Sequence, residues 1–166
     1  LRDRYGKPGE AYLGLVHRLD RPVGGVMVFA KTSKAAARLT AQFRSHEAKK
    51  RYCAVVTGNP KSNAALTDWL CKDEKTFSSR VVPTGTAGAK EARLSYTLLA
   101  RSETDGLLDI ELLTGRPHQI RVQLAHAGHP VVQDLRYGEG APGEPIALWG
   151  AALTLRQSVL TEDPGS

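Results

Sequence analysis

The stretch EARLSYTLLARSETDGLLDIELLTGRPHQIRVQLAHAG, residues 91–128, decides the fold class. Ala92, Leu94, Tyr96 and Leu98 alternate with Arg93, Ser95 and Thr97, the two-residue period of a strand with one buried face. Asp105-Gly106 supplies a turn, after which Leu108, Ile110 and Leu112 alternate with Asp109 and Glu111, so residues 91–113 read as an antiparallel hairpin. Thr114-Gly115-Arg116 turns the corner. Pro117 suits the first position of a helix, Ile120, Leu124 and Ala127 lay an apolar stripe along it, and Gly128 stops it, which predicts a helix over residues 117–127.

Upstream, residues 25–31 carry Val26, Met27, Val28 and Phe29 in succession and read as a strand buried on both faces. Ser33 then reads as the N-cap of a helix with Ala36, Leu39 and Phe43 at helical spacing. Residues 51–57 return to strand, with Tyr52, Ala54 and Val56 on one face and Cys53 and Val55 on the other. Residues 61–90 read as irregular connections around Trp69, with a short strand near 80–82. Hairpin strands interrupted by two helices define an α+β fold, and 166 residues of ordinary composition, 41% hydrophobic and 24% charged, fit a single domain over residues 1–166.

No apolar run approaches the roughly 20 residues of a membrane span, and the opening LRDRYGKPGE is unlike a signal peptide, so the expected location is cytoplasmic. Cys53 and Cys71 form no CxxC pattern; neither a zinc site nor a disulfide framework is expected, and Cys53 reads as a packing residue. His118, His126 and His129 lack an accompanying acidic ligand at a metal-binding spacing, so no metal is expected.

Charge is unevenly placed. Lys31, Lys34, Arg38, Arg44, Lys49, Lys50 and Arg51 face Glu47 as the single acid between residues 31 and 51, so that segment holds the whole net charge of +6. It reads either as a polyanion-binding surface or as a solvated helix face. Asp20, in His17-Arg18-Leu19-Asp20, lies among cations: Arg18 and Arg21 flank it, and Pro22 ends regular pairing. By local pattern alone it reads first as a turn-forming or capping residue. A nearby Arg116 or Arg121 would instead favour an ionised carboxylate, a nucleophile or electrostatic stabiliser rather than a general acid.

Four blocks, VHRLDRPVGGVMVFAKTSKAAARL, KKRYCAVVTG, KEARLSY and LLTGRPHQIRVQLAHAGHPVVQDLRYG, occur in an order that resembles the RluA-type RNA pseudouridine synthases. The resemblance implies the mixed, mainly antiparallel sheet with peripheral helices of that catalytic domain. It implies that Asp20 is the essential aspartate, that Arg121 pairs with it, and that Tyr52 stacks on the uracil. It also implies that Arg18 enters the RNA stack when the target nucleotide flips out. Each has a plainer reading: a solvated helix arginine for Arg121, a core aromatic for Tyr52, a surface arginine for Arg18. Lys31, Lys49, Lys50, Arg51, Arg116 and His118 complete the expected RNA contacts, while Asp134 and Tyr137 are expected to shape a loop.

The implied reaction turns a uridine of ribosomal or transfer RNA into pseudouridine without a cofactor. The carboxylate attacks the sugar, removes a sugar proton or adds to the uracil; the sequence leaves all three open. The alternative is a catalytically silent RNA-binding module of the same fold. The chain departs from the family pattern in lacking the upstream strand segment with its Asn-Lys-Pro signature, so it is expected to begin partway into the usual domain. It also has Gly24 where Ser is frequent, Gln133 where Gly is common and Trp149 where His often follows the Leu.

Overall fold

In the computed structural model, which describes residues 12–156, the alternation read in residues 91–113 becomes two long strands inside a seven-stranded sheet. In chain order the elements are β1 (Gly14–Leu15), β2 (Gly24–Gly25), β3 (Phe29–Ala30), α1 (Ser33–Arg44), β4 (Lys49–Thr57), β5 (Asn63–Asp73), β6 (Ser78–Val82), β7 (Lys90–Arg101), β8 (Asp105–Leu112), α2 (Gln119–His126) and β9 (Leu148–Thr154). The sheet runs β2-β9-β4-β8-β7-β5-β6 and is antiparallel except for the parallel β2–β9 pair, while β1 and β3 pair separately. The expected α+β architecture, mixed and mainly antiparallel, is what forms.

The β7–β8 register sets Leu94 opposite Leu112 and Tyr96 opposite Ile110, and β4 adds Tyr52 beside Ile110. One face thus collects Leu94, Leu108, Ile110 and Val56, all fully buried, and α2 lays Ile120 and Leu124 across it. Each such side chain contributes roughly 1.5–3 kcal/mol by leaving water, so this layer fixes α2 against the sheet. The opposite face sends Arg51, Arg93, Thr97 and Glu111 to solvent.

Five local expectations are corrected. The buried strand over 25–31 is instead the two short strands β2 and β3, with Val26 and Phe29 exposed. Gly25, at φ 142, packs backbone to backbone on Gly150, and the chain then peels away, so that the Val28 N–H goes to His17 Nε2 rather than to a ladder. The cap of α1 is Thr32, not Ser33: Thr32 is extended, and its hydroxyl accepts the Ala35 N–H at 3.1 Å.

The connection expected over 61–90 contains β5 and β6, because Asp68 points to the same side as Leu66 and Leu70 and masks the alternation; Gln123 Nε2 donates to it at 2.7 Å. The β7–β8 turn falls before Asp105, where the Ser102 hydroxyl accepts the N–H groups of Thr104 and Asp105. Helix α2 starts at Gln119 rather than Pro117, preceded by His118 in the left-handed region at φ 54.

Two departures from the family pattern are neighbours: Gly24 and Trp149 are register partners, and a Cβ on Gly24 would lie 2.2 Å from the indole. Gln133 adopts φ 60, a conformation for which glycine is the usual choice. For α1, Thr32→Ala removes the cap without touching the core and is expected to lower stability by about 1 kcal/mol, read as a lower urea midpoint at constant slope.

Candidate active site

Asp20 lies in the loop between β1 and β2. Its main-chain carbonyl accepts the Val23 N–H at 2.9 Å, closing a turn over Arg21-Pro22, so the turn is made by backbone. The carboxylate has no hydrogen bond among the described residues and faces Arg121 Nη1 at 3.7 Å. His17 anchors the loop: Nε2 accepts the Val28 amide at 3.0 Å and the ring stacks on Phe43 of α1 at 4.7 Å. Burial, then the charge of Lys50, pushes the His17 pKa down, in keeping with a neutral ring accepting at Nε2.

Arg121 is the third residue of α2 and is 4% exposed, a cation that requires partners. Its fork is taken by Asp134, Nε to Oδ2 at 2.8 Å and Nη2 to Oδ1 at 2.7 Å, while the ring of Tyr137 lies 5.1 Å from the guanidinium carbon. Burial opposes the charge on Arg121, but the bonds to Asp134 and the charges of Asp134 and Asp20 outweigh it and raise the pKa. Burial likewise pushes Asp134 upward, yet Arg121 and the amides of Arg136 and Tyr137 hold it below the usual carboxylate range. The expected Asp20–Arg121 pair is therefore present as the looser of two, and Asp134 does the orienting.

A cleft of about 430 Å³ opens over Asp20. The 17–20 loop forms one wall, Phe43 and Arg44 at the end of α1 another, Lys50 and Tyr52 of β4 a third, and the 115–118 corner a fourth. Tyr52 is half-buried, and burial followed by the charge of Asp20 pushes its pKa up, which keeps the hydroxyl protonated. Gln119 locks the corner: its Oε1 accepts the Thr114 hydroxyl at 2.7 Å and the Arg116 N–H at 3.0 Å, and its Nε2 donates to Arg93 O. Arg116 Nε is tied to Glu91 O. His118 Nδ1 lies 2.8 Å from the Tyr137 hydroxyl, which also accepts the Ser79 N–H. Burial lowers the His118 pKa, with Asp20 opposing and Arg121 and Arg136 reinforcing it.

Of the expected residues, Arg18, Asp20, Lys50, Tyr52, Arg116 and His118 line this cleft, and Arg121 reaches it through Asp20. Lys31, Lys49 and Arg51 do not. Strand alternation sends Lys50 and Arg51 to opposite faces, and Arg51 forms a two-point ion pair with Asp109. Residue-level reading gave Asp134 and Tyr137 only loop-shaping parts and passed over Gln119. A buried arginine on an apolar helix flank demands a carboxylate, and Asp134 is the first acid after it. Among the described residues no group of three or more His, Cys, Asp or Glu side chains is placed to hold a metal, and no helix is long and apolar enough to cross a membrane.

Comparison with known proteins identifies the family and the fold. The family model described as RNA pseudouridylate synthase matches residues 2–126. Ribosomal large subunit pseudouridine synthase C of Vibrio parahaemolyticus is 38% identical over 134 residues, 80% of this chain and 41% of that protein. Ribosomal large subunit pseudouridine synthase D of Zymomonas mobilis is 34% identical over 147 residues, 89% of this chain and 46% of the relative. The chain thus spans less than half the length of these curated relatives. In fold it is similar to human RNA Pseudouridylate Synthase Domain Containing 1, with a TM-score of 0.76 at 23% identity over 92% of this chain and 65% of that one. Domain Containing 4 gives 0.77 at 22%, over 92% and 70%. With the family model matched across most of the sequence and the fold shared, the chain belongs to the RNA pseudouridylate synthase family.

Proposed function

We propose that this protein isomerises uridine in structured RNA, ribosomal or transfer, to pseudouridine in the cytoplasm, with Asp20 as the essential catalytic residue. The observation that carries this reading is a carboxylate unused by its own turn, facing a cleft and a guanidinium held by a second, buried carboxylate. The reaction breaks the C1′–N1 bond, joins C1′ to C5, releases the C5 proton and places one on N1. Electrons balance without a redox partner. A carboxylate facing the cleft suits every form of this part, and the Arg121 guanidinium lies at ion-pair distance from it, 3.7 Å. Tyr52 offers a neutral phenol ring for stacking on the uracil, a role that needs only a π face. Lys50 projects into the cleft with no carboxylate at ion-pair distance among the described residues, and RNA phosphate supplies its counter-charge.

Release of tritium from RNA labelled at uracil C5 tests the reading. The names of the relatives direct the first trial to large-subunit ribosomal RNA, with transfer RNA second. Release from either supports the proposal. RNA retention without release from both overturns it in favour of a silent RNA-binding module. Within the cleft, Tyr52→Phe is expected to keep single-turnover release within a few fold, whereas Tyr52→Ala forfeits a stacking contribution of about 1–3 kcal/mol, a loss of roughly fivefold to 150-fold. Equal losses in the two variants would assign the hydroxyl, not the ring, to the reaction.

A further inference from the structure

A second cavity, about 580 Å³, adjoins the first across His118, which lines both. The Asp20 loop straddles this divide, Arg18 lining the cleft and Arg21 the second groove. Leu135, 62% exposed, together with Pro22 and Ile146, gives the groove an apolar surface. Two arginines edge that surface. Arg136 is positioned by Nη1 donating to Thr76 O at 2.7 Å and by its N–H on Asp134, and its other guanidinium donors have no acceptor among the described residues. Arg21 makes no hydrogen bond or ion pair there at all. Arg121, also in the lining, is occupied by Asp134, and among the described residues Glu144 is the one carboxylate of the groove wall.

Resting on the proposed function, we infer that this groove seats the nucleotide adjoining the reacting uridine, its phosphate held by Arg21 and Arg136 and its base lying on Leu135 and Pro22. A strand that has placed a uridine over Asp20 must continue past one wall of the cleft. His118 lines both cavities, with two guanidinium groups that have no carboxylate partner among the described residues and an exposed apolar side chain just beyond it. Arginine forks match phosphate oxygens, and an apolar surface accepts any base, so the site takes RNA without reading its sequence. An acidic peptide would use the arginines but has no need of the adjoining cleft.

The test is equilibrium binding of fluorescein-labelled oligouridylate to the full chain over a potassium chloride series. Arg21→Gln and Arg136→Gln are each expected to reduce the slope of log K against log salt by about 0.7, the value for one lost phosphate contact on a single strand. Leu135→Ala should weaken binding severalfold at unchanged slope, Arg136→Lys should restore the slope, and Lys61→Gln, on the β4–β5 connection, should change neither. If Arg136→Gln fails to fold, Arg21→Gln on the exposed loop decides alone. Unchanged slopes in the arginine variants overturn the inference, as does polyglutamate binding that is lost in those variants while oligouridylate binding is kept. Tritium release measured in parallel separates the two readings. Normal release with unchanged slopes removes the groove alone; reduced slopes without release by the unaltered chain remove the proposed reaction and leave the groove as an RNA site.

Discussion

Asp20→Asn is expected to reduce tritium release from uracil-labelled RNA by about a thousandfold or more under single-turnover conditions, while RNA affinity stays within a few fold. The substitution keeps the shape of the side chain and removes its charge. Because the turn over Arg21-Pro22 is closed by the Asp20 carbonyl, Asn disturbs no cap, and because Arg121 keeps both bonds to Asp134, no buried cation is stranded. A loss in activity at unchanged melting temperature and unchanged binding therefore reports the carboxylate itself. Retention of activity within tenfold would remove Asp20 from the reaction.

The second large effect is on stability. Arg121→Met leaves Asp134, which is fully buried, without its counter-charge and is expected to cost about 3–5 kcal/mol, a large part of the roughly 5–15 kcal/mol that holds a domain together. Exchanging both partners, Arg121→Met with Asp134→Leu, removes the uncompensated charge and should recover part of that loss, the rest being held back by the Arg136 and Tyr137 amides that lose their acceptor. The double variant should nevertheless remain inactive, since Asp20 loses the guanidinium that stands 3.7 Å from it. Stability restored without activity separates the two tasks of Arg121; activity restored with stability would show that its only task is packing. The acid dependence follows from the same pair. Asp134 is held below its ordinary 3.8 in the folded chain, so its contribution is present above that value and disappears as pH falls through the depressed one. Urea unfolding at falling pH should show the gap between the unaltered chain and Arg121→Met narrowing in acid.

How far the sequence foretold this structure depends on what each segment had to hide. The β7–β8 pair was legible because its inward positions are apolar and its outward ones polar, as were Tyr52, Ala54 and Val56 of β4. Strand β5 was not, because Asp68 takes an inward place whose partner, Gln123, lies far along the chain. The apolar run after Gly25 misled for the converse reason: its hydrophobic side chains are partly exposed and its amides are held by His17 and Gly150. In the site, the family blocks pointed to Asp20, Tyr52 and Arg121, but the dominant partner of Arg121 comes from a loop brought back over α2. No spacing rule encodes that return. The basic run at 49–51 shows the opposite case, since a strand period of two already divides Lys50 from Arg51.

The contact between Trp149 and Gly24 has a practical consequence. It sets one of the chain's two indoles, 58% exposed, against the backbone four positions after Asp20, whereas Trp69 sits on β5, toward the other end of the sheet. In a Trp69→Phe background, Trp149 of β9 becomes an optical gauge beside the strand that follows the Asp20 loop. Its emission would register the ordering of that loop as RNA arrives, with no dye attached.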